Sequence, residues 1–66
     1  MMQTHVVLDG SDYTINFELD IEREIDVDSV IRDKDGRDVW GADWFIDHYG
    51  DAVLEECRQF LNENGR

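Results

Sequence analysis

Asp12-Tyr13-Thr14-Ile15-Asn16-Phe17-Glu18-Leu19-Asp20-Ile21-Glu22-Arg23-Glu24-Ile25-Asp26-Val27-Asp28 carries its apolar side chains at odd positions, while every even position is polar. Side chains of a strand alternate between the two faces of a sheet, so this period of two describes a β-layer wet on one side and covered on the other. Arg23 is the one polar residue at an odd position between Tyr13 and Val27. It predicts a chain reversal near Ile21-Glu22-Arg23-Glu24, which splits the stretch into two strands. A loop of odd length there keeps the apolar side chains of both strands on one face.

Toward the N-terminus, Asp9-Gly10 supplies the left-handed backbone that a two-residue primed turn needs. Pairing Leu8 with Ser11 sets Val6 opposite Tyr13, Thr4 opposite Ile15 and Met2 opposite Phe17 on the apolar face, with His5 and Asn16 on the other. Toward the C-terminus, a third strand meets Lys34-Asp35-Gly36. A three-residue turn with Gly36 left-handed pairs Asp33 with Arg37, Arg32 with Asp38, Ile31 with Val39 and Val30 with Trp40. Opposite charges then face each other across the strands. Strands are expected at about 3–8, 12–20, 25–33 and 37–40.

Beyond Gly41 the period changes. Ile46, Tyr49, Val53, Cys57 and Phe60 follow spacings of 3, 4, 4 and 3, and Leu54 and Leu61 widen the stripe as a sheet-packing helix requires. The helix is expected over about 43–62, with Asp43 or Asp47 as the cap of a short first turn. Gly50 weakens its continuity, and Asp51 offers a second start. Asn64-Gly65 reads as a stop signal. Both periodicities are met by an α+β fold, a four-stranded antiparallel β-meander with one C-terminal helix packed on one face. No repeat, linker or proline divides the chain, so residues 1–66 are read as one domain.

Composition narrows the function. With 66 residues and a mass of 7.8 kDa, the domain buries only about 60% of its unfolded surface at a radius of gyration of roughly 11 Å. That leaves little room for an enclosed substrate pocket, so no enzyme activity is expected. No run approaches the roughly 18 apolar residues that span a bilayer, and Met1-Met2-Gln3-Thr4-His5 lacks the basic and apolar regions of a signal peptide. A single cysteine, Cys57, permits no internal disulfide and suits a reducing, cytoplasmic setting; its place in the apolar stripe marks it as a core residue. Seventeen acidic against six basic residues leave a formal charge of −11. That balance opposes direct binding to nucleic acid or anionic membranes and complements a basic protein surface.

The even-position series from Asp12 to Asp28 contains seven carboxylates among nine residues. With strands two and three antiparallel, Glu18 and Asp20 come close to Asp26 and Asp28, and like charges opposite each other destabilise a sheet. A chain selected only for stability would avoid that. Glu18, Asp20, Glu22, Glu24, Asp26 and Asp28 are therefore the candidate partner-binding residues. Spread evenly over roughly 4,400 Å² of surface, the net charge amounts to about one per 400 Å². Duplex DNA carries about one per 110 Å², so only acidity gathered on one face approaches it. The competing reading is a solvated surface that serves solubility or salt adaptation.

Other groups read as structural. Asp33-Lys34-Asp35-Gly36-Arg37-Asp38 alternates aspartates with a glycine, yet it lacks the EF-hand spacing and its terminal Glu, and Lys34 and Arg37 oppose a cation. His5 and His48 form no metal-ligand array, so no metal or cofactor is expected. Ser11 and Ser29 lie in no nucleophile-elbow setting. Trp40, Trp44, Phe45 and Tyr49 cluster where the last strand meets the helix. Most such aromatics are core, but Trp40, Trp44 and Tyr49 are a candidate hydrophobic interface and homodimer seam.

In Val27-Asp28-Ser29-Val30, Asp35-Gly36-Arg37-Asp38-Val39, Trp44-Phe45 and the helix that follows, roughly residues 25 to 61, the chain resembles small acidic accessory proteins of tailed bacteriophages. Some of these are similar in size and charge to anti-CRISPR or anti-restriction inhibitors, which occlude nucleic-acid-binding surfaces of host defence complexes. The resemblance implies a phage or mobile-element protein that acts in the bacterial cytoplasm on a basic surface of a host protein. The alternative is a structural or assembly protein that oligomerises through its aromatic patch.

Overall fold

The structure, a computed structural model, describes residues 1–64, Asn64 by its backbone alone. Strands β1 (Met2–Leu8), β2 (Ser11–Leu19), β3 (Ile25–Arg32) and β4 (Arg37–Asp38) precede helix α1 (Asp43–Asn64). The strands form one antiparallel sheet in the order β1-β2-β3-β4. This is the α+β meander with one C-terminal helix that the two periodicities require.

The β1–β2 hairpin has the register expected from its turn. Leu8 pairs with Ser11, Val6 with Tyr13, Thr4 with Ile15 and Met2 with Phe17. Asp9 and Gly10 take φ values of 50° and 80°, as a type I′ turn demands at both central positions. The second reversal is a five-residue loop, 20–24, between the paired residues Leu19 and Ile25. Its odd length keeps Leu19 and Ile25 on one face.

β3 does not keep a single parity. Phe17 pairs with Val27 and Asn16 with Ser29, which leaves Asp28 as the extra residue of a β-bulge. Before the bulge Ile25 and Val27 face the helix; after it Val30 does, opposite Ile15 and with no exposed surface.

The β3–β4 register differs from expectation by one residue. Arg32 pairs with Arg37 and Ile31 with Asp38, so the turn holds four residues, Asp33 to Gly36. Asp33 is held by β2: its N–H donates to the Asp12 carbonyl at 3.0 Å, and its carboxylate accepts from the Thr14 hydroxyl at 2.8 Å. Gly36 is left-handed, at φ 68°. The expected pairing of Arg32 with Asp38 gives way to an ion pair within the turn, Arg32 to Asp35 at 2.8 Å. β4 is also shorter than the expected 37–40. The Asp38 carboxylate accepts the N–H groups of Val30 at 3.4 Å and Trp40 at 3.0 Å, and a side chain that occupies backbone donors in this way ends the ladder.

α1 runs unbroken through Gly50. The Gly65 half of the expected stop signal lies outside the described residues. The helix lies nearest β1 and β2 and follows the direction of β2, with Phe45 over Tyr13 and Phe60 over Phe17 at ring-centroid distances of 5.3 and 5.7 Å. The first core position of the helix is Phe45, fully buried, rather than the expected Ile46, which is 41% exposed. Phe45 touches the rings of Tyr13, Trp40, Trp44 and Tyr49, so an aromatic cage selects the larger ring over its neighbour. Ile15, Phe17, Val30, Val53 and Cys57 complete the fully buried centre.

Candidate partner-binding site

Antiparallel pairing sets Glu18 directly opposite Asp26 on the sheet face away from the helix. Asp20, Glu22 and Glu24 follow within the 20–24 reversal, and Asp28 stands on the bulge. All six of these carboxylate residues are exposed. Among the described residues, none of the six enters an ion pair. Five of them therefore gather at the β2–β3 end of the sheet, with Asp28 beside them on the β3 edge.

The remainder of the open face is not acidic throughout. Its middle is a neutral ladder: the Gln3 side-chain amide donates to Asn16 Oδ1 at 2.9 Å, and the Asn16 amide donates to Ser29 Oγ at 3.0 Å. A second row runs from His5 Nε2 to Thr14 Oγ1 at 3.0 Å and on to Asp33. Thr14 has one proton and gives it to Asp33, so His5 is the donor to Thr14. The alternation of residues 12–28 by itself suggests a uniform plate. Cross-strand neighbours from β1 and β3 fill the centre with amides and hydroxyls, so the acid divides between the five carboxylates of the β2–β3 end and Asp12 and Asp33 toward the other.

Asp20 differs from the other carboxylates because it builds the loop. Its Oδ1 accepts the N–H groups of Glu22 and Glu24 at 2.8 and 2.9 Å, and its own backbone pairs with Glu24. This Asx arrangement carries Arg23 in a left-handed conformation at φ 64° and presents Ile21 at 98% exposure. Glu18, Glu22, Glu24 and Asp26 make no side-chain hydrogen bond to a described residue, so they are available to a partner. The end is not purely anionic. Arg23 and Arg58 flank a groove beside it, lined also by Glu24, Ile25, Leu54 and Leu61.

The candidate hydrophobic interface separates into unlike parts. Trp40 and Tyr49 are half-buried with their rings against Phe45, and the Tyr49 hydroxyl donates to the Asp9 carboxylate. That hydrogen bond, with lesser burial, raises the Tyr49 pKa above its ordinary value. Trp44 packs one edge on Phe45 yet remains 53% exposed.

The aspartates of the 33–38 segment turn to separate internal donors. Asp33 receives Thr14, Asp38 receives Val30 and Trp40, and Asp35 receives the Arg32 guanidinium and the Arg37 N–H. The Arg32 hydrogen bond holds the Asp35 carboxyl below the usual carboxylate range. Among the described residues no group of three or more His, Cys, Asp or Glu is placed to hold a metal, and no helix is long and apolar enough to cross a membrane. Cys57 is buried and free, and desolvation pushes its thiol up to about 11. The thiol is therefore protonated at neutral pH.

No protein-family model, curated protein or solved structure matches this chain.

Proposed function

We propose that the chain is a non-enzymatic interaction domain whose β2–β3 end binds a basic surface of a host protein, of the kind that ordinarily holds nucleic-acid phosphates, and inhibits it in the bacterial cytoplasm. The placement of Glu18 opposite Asp26 carries this reading. Like charges directly opposite on a sheet cost stability, and Glu22 and Glu24 extend the cluster with no cation among the described residues paired to it. A Lys/Arg-rich partner would relieve that repulsion on binding, and the long-range field of the cluster would steer its approach. The resemblance to small acidic phage proteins points the same way.

The test replaces Glu18, Glu22, Glu24 and Asp26 together with Lys and leaves Asp20 in place to keep the loop. In pull-downs from bacterial lysate at two salt concentrations, the parent chain should capture a basic protein more strongly at low salt. The fourfold variant should lose that capture while keeping its circular dichroism spectrum. Equal capture by both removes the acidic mechanism.

The exposure of Trp44 favours a second reading, an assembly protein that self-associates through the aromatic cluster. Trp44→Glu would then abolish self-association in sedimentation experiments.

A further inference from the structure

The two edges of the sheet are built differently. On the far edge β4 has only two residues, the Asp28 bulge breaks β3, and Asp26 and Asp28 flank the exposed backbone. Short strands, bulges and charges are the devices by which proteins prevent an edge from recruiting another strand. β1 carries none of them. Its seven residues pair with β2 in unbroken register, and it has no strand neighbour on its other side among the described residues. The segment Met1–Leu8 contains no Pro, Lys, Arg, Asp or Glu in a chain with 17 acidic residues. Met1 and Val7 within it are 78% and 64% exposed.

The free hydrogen-bonding groups follow from the turn. A tight β-turn joins the Leu8 carbonyl to the Ser11 N–H, and bonded pairs alternate along an antiparallel ladder. Leu8, Val6, Thr4 and Met2 therefore bond inward to β2. Val7, His5 and Gln3 present their N–H and C=O groups outward.

We propose that β1 is a pairing edge whose occupant is β1 of a second copy of this chain, joined antiparallel about a two-fold axis at His5 into a continuous eight-stranded sheet. Gln3 of each copy then lies opposite Val7 of the other, and the outward groups of Gln3, His5 and Val7 bond reciprocally. Charge selects this occupant. β1 itself offers a basic peptide no carboxylate, the nearest being Asp12 across from Val7 and Asp33 at 3.6 Å from His5 Nε2, whereas five gather at the β2–β3 end, to which such a peptide is drawn instead. Two copies at −11 each meet with least repulsion along the stretch that lacks acid, and antiparallel pairing sends their 20–24 reversals to opposite ends. An edge that is self-complementary under a two-fold rotation closes as a dimer and leaves the protected edges outside.

The full chain would be examined by sedimentation equilibrium from micromolar to millimolar concentration at physiological ionic strength, together with amide exchange. The expected result is a mass rising to twice 7.8 kDa, with exchange at Gln3, His5 and Val7 slowing as the dimer forms. His5→Pro removes an outward N–H and the His5–Thr14 side-chain hydrogen bond but leaves every β1–β2 backbone hydrogen bond in place. His5→Lys sets like charges opposite each other at the axis. Either should weaken the dimer by about tenfold or more, and if His5→Pro disturbs the circular dichroism spectrum, His5→Lys alone carries the comparison. A monomer at every concentration overturns the proposal. So does a dimer that tolerates His5→Lys but is dispersed by Trp44→Glu, since its seam would then be the aromatic cluster.

Discussion

Asp20 holds the β2–β3 reversal with a single carboxylate oxygen that serves two backbone donors. Asp20→Ala should cost about 1 kcal/mol, because both N–H groups lose their protein acceptor and fall back on water. Asp20→Asn keeps an oxygen acceptor and should recover most of that loss, as urea unfolding would measure. An equal loss in both variants would mean that charge, rather than hydrogen bonding, holds the loop. Cys57 makes a different residue-scale prediction. With its thiol raised to about 11 and no exposed surface, it should react with thiol reagents at neutral pH only through opening of the fold. The reaction rate should therefore follow stability across a urea series. Rapid modification in native buffer would contradict the burial of this side chain.

At the scale of elements, Gly50 sits inside a continuous helix that it weakens. A Cβ added there meets Ile46 Cγ2 at 3.4 Å, a contact that the half-exposed Ile46 side chain accommodates by a small shift. Gly50→Ala should therefore stabilise the protein by about 0.5–1 kcal/mol through helix propensity and a less flexible unfolded chain, read as a higher urea midpoint. The β3 bulge invites a deletion. Since Phe17 pairs with Val27 and Asn16 with Ser29, removing Asp28 joins two residues already in consecutive register, and every other pairing survives. The deletion variant should stay folded within about 1 kcal/mol of the parent by urea unfolding. It should also expose a flatter β3 edge, read as stronger self-association in sedimentation.

For the whole molecule, self-repulsion at −11 opposes compaction. With few ion pairs to lose among the described residues, added salt should raise the melting temperature. If most of the repulsion is local, as the Glu18–Asp26 pairing implies, the gain should be largely complete by about 0.3 M salt, where the Debye length falls below roughly 6 Å. A melting temperature that keeps climbing into molar salt would favour acidity serving salt adaptation. Replacing the four free carboxylates of the β2–β3 end should remove most of the gain. Thermal unfolding of both proteins across a salt series separates these cases.

The strands, both turns around β2 and the packing of one helix on one face follow from local chemistry that the sequence states openly. Asp9-Gly10 dictates a primed turn, and that turn sets the register of β1 against β2 before any tertiary contact is considered. The odd-even parity of residues 13–27 decides which face is covered. The break in parity at Ser29-Val30-Ile31, where apolar residues become consecutive, is a visible trace of the bulge, although its meaning needs the partner strand. Tertiary structure alone decided the β3–β4 register, the rotation of α1 and the neutral centre of the open face, where the bulge sets Ser29 against Asn16. Asp33 bonds to β2, a neighbour far away in sequence, and so leaves the turn one residue longer than local pairing suggests. Phe45 and Ile46 fit the helical spacing about equally well, and only the aromatic rings that surround Phe45 choose between them. These outcomes depend on contacts between segments distant along the chain, such as Asp33 with β2 and Phe45 with Tyr13, which periodicity and turn propensity do not encode.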